Sequence, residues 1–118
     1  MPSKHWKNVE RNICRRLGGE RRGADYGDGK VGKNDCVNTP GFSVEIKVWE
    51  HPHFQMMLDE ARRAEEHREN KHDIPLAIIK RKGDKEDDAL VVIRLGAFEQ
   101  GLKQKLRERQ ILTELGYD

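Results

Sequence analysis

Apolar residues fall into helical and alternating registers along the chain, and the registers change at glycine and proline. Trp6, Val9, Ile13 and Leu17 lie three or four residues apart, the repeat of one helix face, so residues 3–17 are predicted helical and Gly18-Gly19 ends the helix. Residues 20–24 predict a short strand. Three glycines between Tyr26 and Lys33 predict a mobile loop. Residues 34–38 and 42–49 read as two strands joined by a tight turn at Thr39-Pro40-Gly41. After the break at His51-Pro52, a helix is expected over residues 54–70, with Phe54, Met57, Leu58, Ala61 and Ala64 inward. Residues 75–82 and 89–95 read as strands around a charged turn. A last helix, residues 97–115, places Phe98, Leu102 and Leu106 at helical spacing. The order α, β, β, β, α, β, β, α predicts an α/β fold with a mixed central β-sheet flanked by helices. At 118 residues, a single domain, 1–118, is the expectation.

The strand at residues 42–49 carries the most telling pattern. Strand residues alternate faces, so Val44, Ile46 and Val48 point one way and Glu45 and Lys47 the other. Asp35 stands on the preceding strand. Glu10 lies four after Trp6 and three before Ile13, on the inward face of the first helix. An acid on an apolar face is costly unless it is paired or bound to something. Three acids and one lysine therefore suggest a divalent-metal pocket, with Asp35 and Glu45 holding a hard cation and Lys47 facing a phosphate. The competing reading is a buried structural ion-pair network, which the excess of acids over the lysine disfavours.

Charge sharpens this picture. The whole chain is only +2, yet residues 3–33 hold nine Lys/Arg against four Asp/Glu. A basic first third suits an anionic partner, nucleic acid foremost. Arg11, Arg15, Arg16, Arg21, Arg22, Lys30 and Lys33 are the candidate phosphate contacts; such contacts position DNA without reading its sequence. Cys14 and Cys36 lack a CxxC partner and read as free buried thiols of a reducing compartment. With no signal peptide and no apolar run of membrane-spanning length, the expectation is a soluble cytoplasmic protein, in the host cytoplasm if phage-encoded. His51-x-His53 lacks further ligands at a familiar zinc spacing and reads as an exposed turn, while His67 and His72 read as solvated.

Asp35, followed after a turn by Glu45-Ile46-Lys47, resembles the motif of the PD-(D/E)xK nuclease superfamily, and the predicted order is similar to its restriction-endonuclease-like core, αβββαβ. With Glu10 and the run Leu17-Gly18-Gly19-Glu20-Arg21-Arg22, the chain looks most like the small Holliday junction resolvases of archaea and phages, over about residues 3–95. Asn34 stands where the family name has proline, and the serine-bearing loop of archaeal resolvases has no clear match. The resemblance implies a Mg²⁺- or Mn²⁺-dependent endodeoxyribonuclease. Asp35, Glu45, the Ile46 carbonyl and Glu10 would be metal ligands, Lys47 would orient the attacking water, and Gln55 would sit beside the site. It also implies four-way DNA junctions as substrate, 5′-phosphate ends, and a homodimer whose two sites nick opposite strands. Leu102, Leu106, Ile111, Leu112 and Leu115 form a candidate interface, or they cover the sheet. The alternatives are a nuclease of the same fold acting on linear, nicked or single-stranded DNA, a catalytically silent DNA-binding module, and a structural protein with no nucleic-acid role.

Overall fold

The computed structural model describes residues 2–23 and 34–116. In chain order these are α1 (Pro2–Arg16), β1 (Glu20–Arg21), β2 (Cys36–Val37), β3 (Phe42–Trp49), α2 (Phe54–Glu66), β4 (Ile74–Arg81), β5 (Leu90–Val92) and α3 (Leu95–Glu114). A short 3₁₀ turn, Glu86–Asp88, precedes β5. The predicted order holds. The predicted loop at residues 26–33, with Lys30 and Lys33, lies outside the described residues.

The main sheet has three strands in the order β3-β4-β5. β3 and β4 run parallel, in register from Phe42 beside Ile74 to Trp49 beside Arg81. That pairing requires a crossover, and α2 supplies it. β5 joins the far side of β4 antiparallel, pairing Ile78 with Val91. The fold is thus a mixed sheet flanked by helices.

β1 and β2 form a separate two-stranded antiparallel sheet, pairing Arg21 with Cys36. The two strands expected at residues 34–38 and 42–49 therefore do not form one ladder. One backbone–backbone bond, Asp35 N–H to the Val44 carbonyl at 2.9 Å, bridges them, beside bonds from the Asp35 and Asn34 side chains. The turn between them forms as expected: Phe42 N–H donates to the Thr39 carbonyl, and Gly41 adopts a φ of 77°.

Each face of the main sheet has its own core. On one, Val44, Ile46 and Ile78 pack against Val9, Ile13, Cys14 and Cys36. On the other, Ala77 and Ile79 pack against Met56 of α2. Burying an aliphatic side chain contributes roughly 1.5–3 kcal/mol, whereas Glu45, between Val44 and Ile46, returns no such gain.

α1 ends as its glycines predict. Gly19 N–H donates to the Cys14 carbonyl and Gly18 N–H to the Arg15 carbonyl, with Gly18 at φ +88°; this is the Schellman pattern. A Cβ on Gly19 would lie 2.3 Å from the Val37 carbonyl oxygen, so only glycine lets the end of α1 approach β2 this closely.

Three expectations change. Cys14 and Cys36 are not free thiols but a disulfide, with Cα atoms 5.5 Å apart across 22 residues of sequence. Sequence spacing did not signal the pair because β2 brings Cys36 to α1 only in the folded chain. The cysteine argument for a reducing compartment falls with the free thiols. α2 stops at Glu66 and turns by one position: Met56, Glu60, Ala61 and Ala64 are buried, while Phe54 is exposed. The last helix does not cover the sheet. It seats Ala97 and lays Gly101 against Ile74, but Phe98, Leu102, Leu106, Ile111, Leu112 and Leu115 stay exposed.

Candidate functional site

The segment around Asp35 is fixed at both backbone ends. Its N–H donates to the Val44 carbonyl and its carbonyl accepts from Arg22 N–H, at 2.9 and 2.8 Å. Asn34 serves as a bracket: its amide donates to Ser43 Oγ and its Oδ1 accepts from Arg22 Nη2, while Ser43 Oγ donates to the Ala64 carbonyl. A proline could supply neither side-chain bond. The Asp35 carboxylate meets β3 directly, Oδ2 accepting from Ile46 N–H at 2.7 Å.

Glu10 and Glu45 are buried, at 3% and 4% exposure. Glu10 Oε1 accepts from Arg21 Nε at 2.9 Å, and the Arg21 guanidinium also lies 5.5 Å from the Trp6 ring centre. Glu45 Oε1 lies 2.9 Å from His67 Nδ1, at the C-terminal cap of α2. The other oxygen of each, Oε2, is buried without a hydrogen-bond partner among the described residues. Glu60 joins them from α2, buried and paired to Arg63 at 2.9 Å.

The electrostatics follow from crowding. Burial, and then the charge of Asp35, push Glu10 up to about 7. Burial, then Asp35 and Glu60, push Glu45 up to about 8. Asp35 is also raised, by burial first, against the Ile46 hydrogen bond that lowers it; Glu60 raises it further, while Arg21 and Lys47 pull it down. Neighbouring carboxylates out of water cannot all ionise cheaply, which makes the cluster a place for added positive charge.

Lys47 leaves the sheet on the Glu45 face, half-buried, with Nζ 5.2 Å from the Trp49 ring centre. Its charge thus stands at the rim of the cluster. Gln55 is not brought in: it is exposed and donates to Asp59 Oδ1 one turn along α2.

The candidate DNA contacts divide. Arg15 is exposed, and Arg11 bonds Asn8 along α1. Arg16 is paired with Asp87 and Glu86. Arg21 belongs to the acid cluster, and Arg22 ties Asn34 to Glu69, so both act first as scaffold. Sequence reasoning missed Glu60 and His67, the latter expected to be solvated. Their signal was available: residues 56, 60, 64 and 67 share one helix face.

Carboxylate oxygens such as those of Glu10, Asp35 and Glu45 are the donor type of a hard cation such as Mg²⁺ or Mn²⁺, and two of them, Glu10 Oε2 and Glu45 Oε2, are without a hydrogen-bond partner among the described residues. Among the described residues, no group of three or more acid, histidine or cysteine side chains is arranged so that it could hold a metal ion. No helix among them is long and apolar enough to cross a membrane. Compared with protein-family models, curated proteins and solved structures, the chain matches none of them.

Proposed function

We propose that the chain is a divalent-metal-dependent endodeoxyribonuclease, with four-way DNA junctions as its substrate and a homodimer as its working form. The observation that carries this reading is the pair of buried carboxylate oxygens, Glu10 Oε2 and Glu45 Oε2, without partners among the described residues and beside Asp35. A fold that stopped at structural pairing would leave such groups unmet only at a cost of about 1–3 kcal/mol each.

Glu10, Asp35 and Glu45, with the Ile46 carbonyl, would hold Mg²⁺ or Mn²⁺. The bound cation would polarise a phosphate oxygen and acidify a bound water. Asp35 is preset by the Ile46 N–H, and Glu45 by His67. Lys47, at the rim, orients the attacking water and opposes the charge gathering on the scissile phosphate. Water adds to phosphorus, the bond to the 3′-oxygen breaks, and that oxygen leaves with a proton, giving the 5′-phosphate ends of the resembled family. Arg11 and Arg15 on α1 are the exposed or half-exposed cations for backbone contact.

The dimer reading draws on the exposed apolar side of α3, and on a groove of about 640 Å³ lined by Phe54, Met57, Leu58, Leu90, Val91 and Leu95 at its root. A ridge and a groove side by side suit a two-fold contact in which each copy offers both.

One observation favours a competing reading. Glu10, Glu45 and Glu60 each have a basic partner, Arg21, His67 and Arg63, as a structural network would. Cleavage of a labelled immobile four-way junction beside linear, nicked and single-stranded DNA separates the two. Paired symmetric nicks on the junction, lost with chelator and in Lys47→Ala, are expected. Cutting of every substrate would keep the nuclease and discard junction preference. No cutting with any divalent metal would leave the structural network.

A further inference from the structure

Two tryptophans flank the acid cluster, and each is joined to it in the same way. The Arg21 guanidinium lies over the Trp6 ring, 5.5 Å from its centre, and pairs with Glu10. Lys47 Nζ lies 5.2 Å from the Trp49 ring centre and leaves β3 on the same face as Glu45. Burial raises Asp35, and both cations pull it back, so a ring and a cation border the same acid twice over. Trp6 comes from α1, which packs on the face of the sheet that carries Val44 and Ile46. Trp49 alternates with Val48 and so leaves the opposite face, where Met56 of α2 packs. The rings thus stand on either side of the strand whose Ile46 N–H meets Asp35.

Neither ring is core. Trp6 is 39% and Trp49 41% exposed among the described residues, although aromatic rings are among the side chains that gain most from burial. Beside Trp49 lies a groove of about 350 Å³ bordered by Glu50, His51 and Lys82. Its rim is tied together: Lys82 N–H donates to the Trp49 carbonyl at 2.8 Å, and Lys82 Nζ lies 3.5 Å from Glu50 Oε1. A flat aromatic wall with cations at hand is the chemistry that holds an unstacked base and its phosphate. The interior of a linear duplex keeps its bases stacked on one another. A branch point interrupts that stack and frees a π-face on the arms that meet there.

We infer that Trp6 and Trp49 are stacking platforms for bases unstacked at a DNA branch point, one on each side of Asp35. This rests on the nucleic-acid reading of the site and needs no metal.

The experiment is intrinsic fluorescence in the presence of chelator. The chain has two tryptophans, so Trp6→Phe leaves Trp49 as sole reporter, and Trp49→Phe leaves Trp6. Each variant is titrated with an immobile four-way junction and with a linear duplex of the same arm sequence, and binding is followed separately by anisotropy of labelled DNA. Expected is quenching of both reporters by the junction, and binding of the duplex without comparable quenching. Trp6→Ala and Trp49→Ala should each weaken junction binding by about tenfold, the scale of one base stacked on one ring. Duplex affinity and its salt slope should hold, because phosphate contacts set them. Thermal melting checks that each variant is folded. Junction binding without quenching, equal quenching by duplex, or equal loss of both substrates in a folded alanine variant overturns the platforms. A blue shift on raising protein concentration alone would place the rings between copies of the chain and overturn them as well. If wild type binds neither DNA, the nucleic-acid reading itself falls, and the platforms with it.

Discussion

The region around Asp35 and Glu45 buries charge, whereas the last helix exposes hydrocarbon. Around Glu10, Asp35, Glu45 and Glu60 the chain spends a disulfide, a Schellman turn and the Asn34 bracket to hold polar groups out of water. Along α3 it does the reverse: Ala97, Gly101 and the Arg94–Glu65 ion pair seat the helix near its start, and residues from Phe98 to Leu115 leave large apolar side chains in solvent. Buried polar groups and exposed apolar patches are the two departures from ordinary burial that carry information. The first is held by hydrogen bonds on several sides, as the proposed chemistry would require. The second is an unmatched surface, as association requires.

The comparison breaks most visibly at Lys47. Lys47→Ala is expected to lower cleavage on the order of 10²–10³-fold while DNA binding and the melting temperature stay close to wild type; loss of fold would make Lys47 structural. Asp35→Asn should remove activity together with its dependence on Mg²⁺ in the same assay, and unchanged cleavage would discard the site.

The disulfide tests how far the charged end depends on being tied. Reducing the Cys14–Cys36 bond, or replacing both residues with alanine, should cost about 3 kcal/mol in urea denaturation, the scale for closing a loop of this length.

A pH series sharpens the same point. Glu10 and Glu45 are raised from 4.5 to about 7 and about 8, so between those values the folded protein holds protons that the unfolded chain has released. Stability of the metal-free protein should therefore be full below about pH 4.5 on this account and fall as pH rises toward 8, by on the order of a few kcal/mol. Calorimetric affinity for Mn²⁺ should rise over the same interval, because ligating carboxylates must be deprotonated. A melting temperature flat from pH 5 to 8 would mean that these groups are not buried as acids.

The α3 end predicts the opposite response. The double substitution Leu102→Glu, Leu106→Glu should turn a dimer into a monomer by light scattering, with monomer stability changed by no more than about 0.5 kcal/mol per exposed site. Unfolding instead would mean that these leucines pack inside one chain. The smallest effect is expected at Arg15→Ala: weaker DNA binding and a salt-dependence slope reduced by about one. Arg22→Ala should act on stability instead, since Arg22 holds Asn34 and Glu69.

Much of this was legible in one dimension. Periodicity alone placed α1, β3 and β4, because a strand with Val44, Ile46 and Val48 on one side has few other ways to bury them. The inward position of Glu10 followed from its spacing to Trp6 and Ile13 on α1. For Gln55, a place early in a helix did not settle which way the side chain faces. α2 is rotated so that Met56 and Glu60 meet the sheet and Gln55 bonds Asp59 in solvent.

The sequence by itself determined the order of elements, the alternation that sets Glu45 and Lys47 against Val44 and Ile46, and the turns at Gly18 and Gly41. These depend on backbone geometry and on neighbours a few residues away. Only the tertiary structure decided that Cys14 meets Cys36, that His67 and Arg21 each take one oxygen of a glutamate, that Glu60 enters the cluster, and that α3 stands clear of the sheet. Each of these depends on how separate segments pack together; spacing marked only that residues 56, 60, 64 and 67 share one face of α2, not what that face meets.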